Sequence, residues 1–170
     1  MRADLSSTTR MRFEMMGFTT CDDRMLRTIR PWLRVGPAIC GIWMAVGLIT
    51  DSAATLWVLA PFAALGAVLP VHPVDVPYNF VIRRWTRTPP IPSYGAPRRF
   101  SCAMASVWIS VTAWALASGA VGLAHVLGSI FMAASAVYAT TDFCLGSWIY
   151  QSWKFLFRKL LFERGKAGSA

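Results

Sequence analysis

The chain has 170 residues, of which 55% are hydrophobic and only 15% are charged, and its formal net charge is +9. Soluble domains carry about 25% charged residues, so this composition excludes an ordinary soluble globular protein. The long uncharged runs indicate that the basic residues lie beside anionic lipid headgroups rather than nucleic acid. We therefore expect a membrane protein with anionic lipids as partners and no nucleic acid.

Residues 1–34 form a basic segment that precedes the first apolar stretch. Residues 35–69 contain two apolar runs, which Asp51 and Ser52 separate. Each run approaches the number of residues that an α-helix needs to cross the hydrocarbon core of a bilayer. We predict a first transmembrane hairpin here.

Residues 70–99 contain seven of the ten prolines. Because proline cannot continue a regular helix, we expect this cytoplasmic loop to be extended along the membrane surface, with a short interfacial helix over residues 78–86. Residues 100–141 contain no Asp, Glu, Lys or Arg and are too long for one span. A break at residues 117–119 divides them into a second transmembrane hairpin.

Residues 142–170 are predicted to form an interfacial amphipathic helix and a tail. Apolar side chains recur there at helical spacing with basic side chains beside them, which is typical of a helix that lies in the membrane interface. The same face is equally suited to a partner protein. The residues that we expect to contact lipid or a partner are Trp148, Trp153, Leu156, Leu160, Lys154, Arg158 and Lys159.

All 17 Lys and Arg residues fall in the N-terminal segment, the central loop and the C-terminal segment. With four spans these segments share one side of the membrane, and the positive-inside rule places that side in the cytoplasm. We predict an all-α membrane protein with four transmembrane helices as two tandem hairpins. Both termini are expected in the cytoplasm.

The two hairpins share a weak internal repeat. Arg34 matches Arg99, and residues 42–43 (Ile-Trp) match residues 107–108 (Val-Trp). Two spans per unit give both copies the same orientation in the membrane. We expect a parallel repeat, and chance similarity between apolar sequences is the alternative.

Few side chains in the spans offer chemistry. His72 and His125 are predicted at opposite ends of the bundle, too far apart to share a metal or one haem. His125 is a candidate single axial ligand for a haem or pigment, and a polar residue at the outer interface is the simpler interpretation. Asp142 is expected to pair with Arg34 or Arg99. We predict no metal and no resident cofactor, expect bound lipid, and leave contact with a pigment or haem open.

Residues 144–147 (CLGS) resemble half of a Cys-x-x-Cys redox site. Ser147 cannot supply the second thiolate that resolves a mixed disulfide. Gly146 is expected to mark the break between the fourth span and an interfacial helix that begins near Trp148. The cysteines interpreted as small packing residues inside apolar runs are Cys40 and Cys102.

Three short motifs resemble those of a known family: Asp23-Arg24, Pro77-Tyr78-Asn79, and Phe143-Cys144-Leu145-Gly146 with Tyr150 as a later aromatic. The chain is similar over about Asp22 to Tyr150 to a bacterial family of integral membrane proteins, number forty-three ninety-five in the domain-of-unknown-function series. It departs from the family pattern in lacking a proline after Asp23 and in having Ser147 where the second cysteine of Phe-Cys-x-Gly-Cys stands. The resemblance implies a membrane fold, located in the bacterial cytoplasmic (inner) membrane, and no particular reaction.

The sequence contains no catalytic constellation, whereas its Trp content and amphipathic flanks favour contact with other subunits. We therefore expect a non-catalytic accessory or scaffolding subunit of a larger membrane complex, such as a respiratory or photosynthetic one, with other integral membrane subunits as partners. One alternative is a membrane thiol or sulfur-handling redox protein that uses Cys144. A further alternative, a small-solute transporter, lacks the carboxylates expected in the middle of its spans.

Overall fold

The computed structural model describes residues 5–167, and the side chains of residues 5–159. All regular structure within these residues is helical, which confirms the predicted all-α class. The elements are α1 Ser7–Met15, α2 Asp23–Ile49, α3 Ala53–Val68, α4 Asp75–Pro77, a π-helical turn Tyr78–Ile82, α5 Arg83–Thr86, α6 Ala96–Ala117, α7 Val121–Thr141 and α8 Leu145–Ala167.

Helices α2, α6 and α7 are each long and apolar enough to cross a membrane, and α3 is a shorter apolar helix. These helices support the expectation of a multi-pass membrane protein. The break between α6 and α7 falls where the sequence predicts it, because α6 ends at Ala117 and α7 begins at Val121. Gly119 in this turn has a φ of +82°, a conformation that glycine adopts without steric cost.

The four apolar helices pack side by side, with α2 against α7, α3 against α6, and further contacts between α2 and α3 and between α6 and α7. Small residues allow close approach of such helices. At Gly128 of α7, a Cβ atom would lie 2.4 Å from Leu48 Cδ1 of α2. The bundle core contains Met44, Leu48, Leu56, Leu59, Ile109 and Ala113.

The N-terminal segment is more structured than the sequence analysis predicts. Helix α2 begins at Asp23 rather than near Val35, because the Asp22 side chain caps it by accepting a hydrogen bond of 3.1 Å from the Met25 N–H. Its first turns bury an apolar stripe that packs on side chains of α1 and the segment after it. This cluster, called here the end core, includes Phe13, Met16, Phe18, Leu26, Ile29, Leu33 and Tyr78.

The proline-rich connection is ordered and largely helical between Asp75 and Thr86, so the short helix expected over residues 78–86 is present and begins earlier. Tyr78 is buried in the end core, and its hydroxyl donates to Thr88 Oγ1 at 2.8 Å. Asn79 Oδ1 accepts from the Ile91 N–H at 2.9 Å. These bonds fold the connection against the end core.

Helix α8 begins at Leu145, earlier than the start near Trp148 that the sequence predicts. The reason is the conformation of Asp142, which follows the last turn of α7 with a φ of +59° and ends that helix. The chain therefore turns at residues 142–144, and Gly146 lies within the first turn of α8 rather than at the break. The expected role of Gly146 as the helix break is wrong.

Candidate functional site

Arginine side chains bind the C-terminal ends of two helices and define one end of the bundle, called here the basic end. Arg99 donates from Nε to the Ala67 carbonyl and from Nη2 to the Val68 carbonyl, both at 2.8 Å. Arg34 Nη2 donates to the Thr140 carbonyl at 3.1 Å. Cations near helix C-termini are stabilised by the unpaired carbonyls and the helix dipole. Helix α3 thus ends beside the start of α6, and α7 ends beside Arg34, about three turns after α2 begins.

Asp142 is the buried anion of the basic end. Arg34 binds it in a bidentate manner through one guanidinium edge, with Nε 2.6 Å from Oδ1 and Nη2 2.7 Å from Oδ2, and Arg30 Nη2 lies 2.6 Å from Oδ2. Burial opposes ionisation, but the hydrogen bonds from Arg34 and Arg30 outweigh it and hold the pKa of Asp142 below its usual range. The predicted pair with Arg34 is confirmed, whereas the alternative partner Arg99 instead caps α3.

A cavity of about 250 Å³ lies where the bundle core meets the end core. For comparison, an engineered apolar cavity of about 150 Å³ holds a benzene molecule. The apolar wall of the cavity in the present structure comes mainly from α2, α6 and α7. The polar and sulfur-bearing residues that line it include Cys40, His72, Tyr94, Arg98, Ser101, Cys102 and Cys144.

Arg98 is the most unusual residue of the cavity. It is only 6% exposed, and its guanidinium carbon lies 3.9 Å from the centre of the Tyr94 ring and 5.6 Å from that of Phe18. Its Nη1 is buried and has no hydrogen-bond partner among the described residues. A buried charge without a hydrogen-bonding counter-ion is costly, so a protein retains one only with compensation.

Asp75 and His72 lie close to Arg98 without pairing with it. Asp75 is 2% exposed and accepts a hydrogen bond from the Tyr94 hydroxyl, while burial raises the pKa of Asp75. His72 Nδ1 accepts from the Val74 N–H at 3.2 Å, which assigns the ring proton to Nε2. Burial and the charge of Arg98 lower the pKa of His72 to about 4, so the imidazole is neutral at pH 7.

Three of the four cysteines line this one cavity, although they are far apart in the chain. The Cys144 thiol donates to Ser101 Oγ at 3.3 Å, and Ser101 Oγ lies 3.1 Å from Ser147 Oγ. Ser147 is fully buried at this contact between α6 and α8. The sequence analysis interpreted Cys40 and Cys102 as packing residues and did not anticipate that they share a cavity with Cys144.

Gly146 brings the start of α8 against α6. A Cβ atom at this position would lie 2.9 Å from Ser101 Cβ and 3.0 Å from Ser101 Cα. Backbone atoms cannot move aside as the end of a flexible side chain does. Glycine is therefore needed here for the close contact that places Cys144 and Ser147 beside Ser101.

His125 lies in the first turn of α7, at the end of the bundle opposite the basic end. Its Nδ1 is 2.9 Å from the Val121 carbonyl of its own helix, and its Nε2 is 4.0 Å from Asp51 Oδ1. The structure does not bring it near His72 of the cavity. Within the described part of the chain, no three His, Cys, Asp or Glu side chains lie close enough to hold a metal ion.

Helix α8 packs on α6, with the Tyr150 ring centre 5.6 Å from that of Phe100, and Gln151 Nε2 donates to the Met15 carbonyl at 3.3 Å. The side chain of Leu160 lies outside those that the structure describes. The other residues proposed from the sequence for lipid or partner contact are all exposed: Trp148, Trp153, Lys154, Leu156, Arg158 and Lys159.

A family model described as "Domain of unknown function (DUF4395)" matches residues 30–154. The matched segment extends from α2 into α8 and includes every residue that lines the cavity. Neither the curated proteins nor the solved structures gave a match. The family match agrees with the resemblance seen in the short motifs and covers most of the chain, which therefore belongs to the DUF4395 family.

Proposed function

We propose that the chain spans the bacterial cytoplasmic membrane four times, with the short helix α3 crossing it as well as α2, α6 and α7. Both termini then lie in the cytoplasm. The arginines that bind the ends of α3 and α7 support this arrangement, because they lie in the N-terminal halves of α2 and α6 and bind the C-terminal ends of the other two apolar helices. Asp51 and His125 mark the opposite end, which has no Lys or Arg in its connecting turns. The positive-inside rule assigns the basic end to the cytoplasm.

Within that membrane, the chain acts as a non-catalytic accessory or scaffolding subunit of a larger complex. The observation that carries this proposal is the part of α8 that extends beyond its contacts with α6 and α1, residues 152–159, where every side chain is exposed. Trp153 is 62% exposed there and Phe155 is 72% exposed, next to exposed Lys and Arg side chains. Large aromatic residues are the commonest anchors of protein interfaces. A basic, aromatic segment of this kind suits an integral membrane subunit whose surface bears acidic and apolar groups.

The proposal is tested by the size of the native particle in a mild detergent. The full-length chain is expected to migrate in a particle much larger than its own micelle, and Trp153→Ala is expected to reduce its share of that particle. Trp114→Ala is the matched control, because Trp114 of α6 is 63% exposed and has the same side chain, yet lies on the bundle rather than on α8.

Truncation after Tyr150 gives a second measurement. We expect the shortened chain to remain in the membrane and to leave the large particle. If the native full-length chain migrates as a monomer under conditions that preserve known complexes, the accessory-subunit proposal is wrong. Equal losses from Trp153→Ala and Trp114→Ala would show instead that the contact is not specific to α8.

A second candidate function, thiol or sulfur-handling redox chemistry, is favoured by the cavity itself. Cys144 and Cys102 both line it, so a small reactant there would have access to two thiols. If the chain is an accessory subunit, Cys144→Ser leaves assembly and cellular phenotype nearly unchanged. Loss of the phenotype at normal protein level, with the large particle intact, would support the redox function instead.

A further inference from the structure

Burying the charge of Arg98 costs free energy, and no hydrogen-bond acceptor among the described residues offsets that cost at Nη1. The rings of Tyr94 and Phe18 offer a weak attraction through their faces, worth about 0.5–2 kcal/mol for a cation over a ring. They cannot accept the N–H groups of the guanidinium in the manner of a carboxylate. Nη1 in particular remains buried without a hydrogen-bond acceptor among the described residues.

Asp75 does not neutralise Arg98 by direct contact. Its carboxyl group accepts the hydrogen bond of the Tyr94 hydroxyl, and within the described residues it forms no ion pair with Arg98 inside 4.0 Å. Asp142, the other buried carboxylate among residues 5–159, is held by Arg30 and Arg34. The positive charge of Arg98 therefore lies at the cavity without a hydrogen bond to either Asp75 or Asp142.

The rest of the lining indicates which molecule would match it. His72 is neutral and its Nδ1 is occupied by the Val74 N–H, so Nε2–H is a second donor among the lining residues. The remaining wall is predominantly apolar, including Trp108, Ile130 and Phe131. Sites of this kind hold an apolar body and fix its orientation through a few polar groups.

We propose that the cavity binds a small organic acid, with its carboxylate on Arg98 and its apolar body between α2, α6 and α7. A single negative charge balances the guanidinium, whereas a dianion would leave one negative charge buried without a partner. The cavity of about 250 Å³ has room for a chain or ring on the order of ten non-hydrogen atoms. The inference stands whether or not the chain is an accessory subunit.

Calorimetric titration of the full-length chain in nanodiscs of zwitterionic lipid tests the inference with three probes. Hexanoate carries both the charge and the apolar body, hexanamide has the body without the charge, and acetate has the charge with almost no body. We expect hexanoate to bind at least tenfold more tightly than either of the other two, because charge-assisted hydrogen bonds and burial of the body act together.

Two variants separate the two parts of the site. Arg98→Met is expected to weaken hexanoate binding about ten- to a hundredfold, the range for loss of hydrogen bonds to a charged group. Ala134→Leu adds bulk to the apolar wall and is expected to weaken hexanoate binding while leaving acetate binding unchanged. Arg99→Gln is the matched control, because Arg99 is the next residue, is exposed, and does not line the cavity. It should leave the affinity for hexanoate unchanged.

Arg98→Met also has a folding readout. Because it removes an unpaired buried charge, we expect this variant to unfold at the same temperature as wild type or higher. If it fails to fold, the Ala134→Leu titrations still decide the question. Equal affinities for hexanoate and hexanamide, or equal affinities for hexanoate and acetate, would overturn the proposal. So would tightly bound anionic lipid in the purified protein that hexanoate does not displace, because the occupant would then be a lipid headgroup.

Discussion

Arg34 and Arg99 occupy matching positions in the two halves of the bundle and bind the ends of different helices. Arg34, on α2, donates to the Thr140 carbonyl at the end of α7. Arg99, on α6, donates to the carbonyls of Ala67 and Val68 at the end of α3. The helices also pack between halves, because α2 of the first half lies against α7 of the second and α3 lies against α6. The repeat expected from sequence thus has a structural counterpart, in which each half caps the other.

Loss of these caps is expected to lower stability by different amounts. Arg99→Gln should reduce the free energy of unfolding by about 0.3–1 kcal/mol, the usual value of a cation at a helix C-terminus. Arg34→Gln should cost about 1.5–3 kcal/mol, because it also removes hydrogen bonds to the buried Asp142 carboxylate. Denaturant titration in detergent micelles measures both. Arg27→Gln on the exposed side of α2 is the control and should change stability by less than about 0.5 kcal/mol.

Acid is expected to weaken the protein through Asp142. Its pKa is lower in the folded protein than the unfolded value of about 3.9, so the folded state holds fewer protons and gains stability when the carboxylate is ionised. That contribution is complete above the unfolded pKa and is lost as the pH falls through the folded pKa. Unfolding measured from pH 7 down to pH 2 should show it.

Asp142→Asn is the control for this pH dependence. Asparagine tolerates the positive φ of +59° at this position but carries no charge. The variant should be less stable than wild type at pH 7, and the difference should shrink below about pH 4, near the unfolded pKa. A difference that stays constant or grows on acidification would show that the ion pair does not stabilise the folded state.

Gly146→Ala is expected to separate α8 from α6. The new methyl group would lie within 3.0 Å of Ser101 Cα, so the helices must shift, at a cost of about 1–3 kcal/mol. Faster alkylation of Cys144 by a maleimide should accompany the loss of stability. Gly122→Ala is the control, because a Cβ there meets nothing within 4 Å. If Gly146→Ala leaves both the stability and the alkylation rate unchanged, the close contact between α8 and α6 is wrong.

Reporter fusions test the membrane topology. Fusions at Asp51 and Ser118 should behave as external, and fusions at Ser93 and Ala170 as cytoplasmic, because the arginine-rich segments lie at one end. The Ser93 fusion depends directly on whether α3 crosses the membrane, because Ser93 follows α3 in the chain. A cytoplasmic reporter at Ser118 would refute the four-span arrangement.

The helical fold could be predicted because hydropathy and charge report directly on a lipid environment. The break near Gly119 and the pair between Arg34 and Asp142 followed from the same patterns. The end core was missed because the dense arginines of the N-terminal segment masked a short apolar stripe. Leu26, Ile29 and Leu33 have helical spacing and were the available signal.

The cavity could not be predicted from the sequence. Cys40, Cys102 and Cys144 come together only when α2, α6 and α8 pack, and nothing in their spacing along the chain indicates this. Arg98 was counted among the basic residues of a surface loop, like its neighbour Arg99. Burial distinguishes the two, and burial depends on tertiary contacts with Tyr94 and Phe18.

The length of α3 has a consequence for the surrounding lipid. Its 16 residues rise about 24 Å, whereas the hydrocarbon layer is about 30 Å thick. In the proposed four-span arrangement, the bilayer beside α3 must become thinner, while the 22 residues of α6 reach across it fully. The bilayer around the protein would then be thinner on the side of α3 than on the other sides. Other proteins with short spans would lower their own mismatch by gathering on that side, without any specific contact.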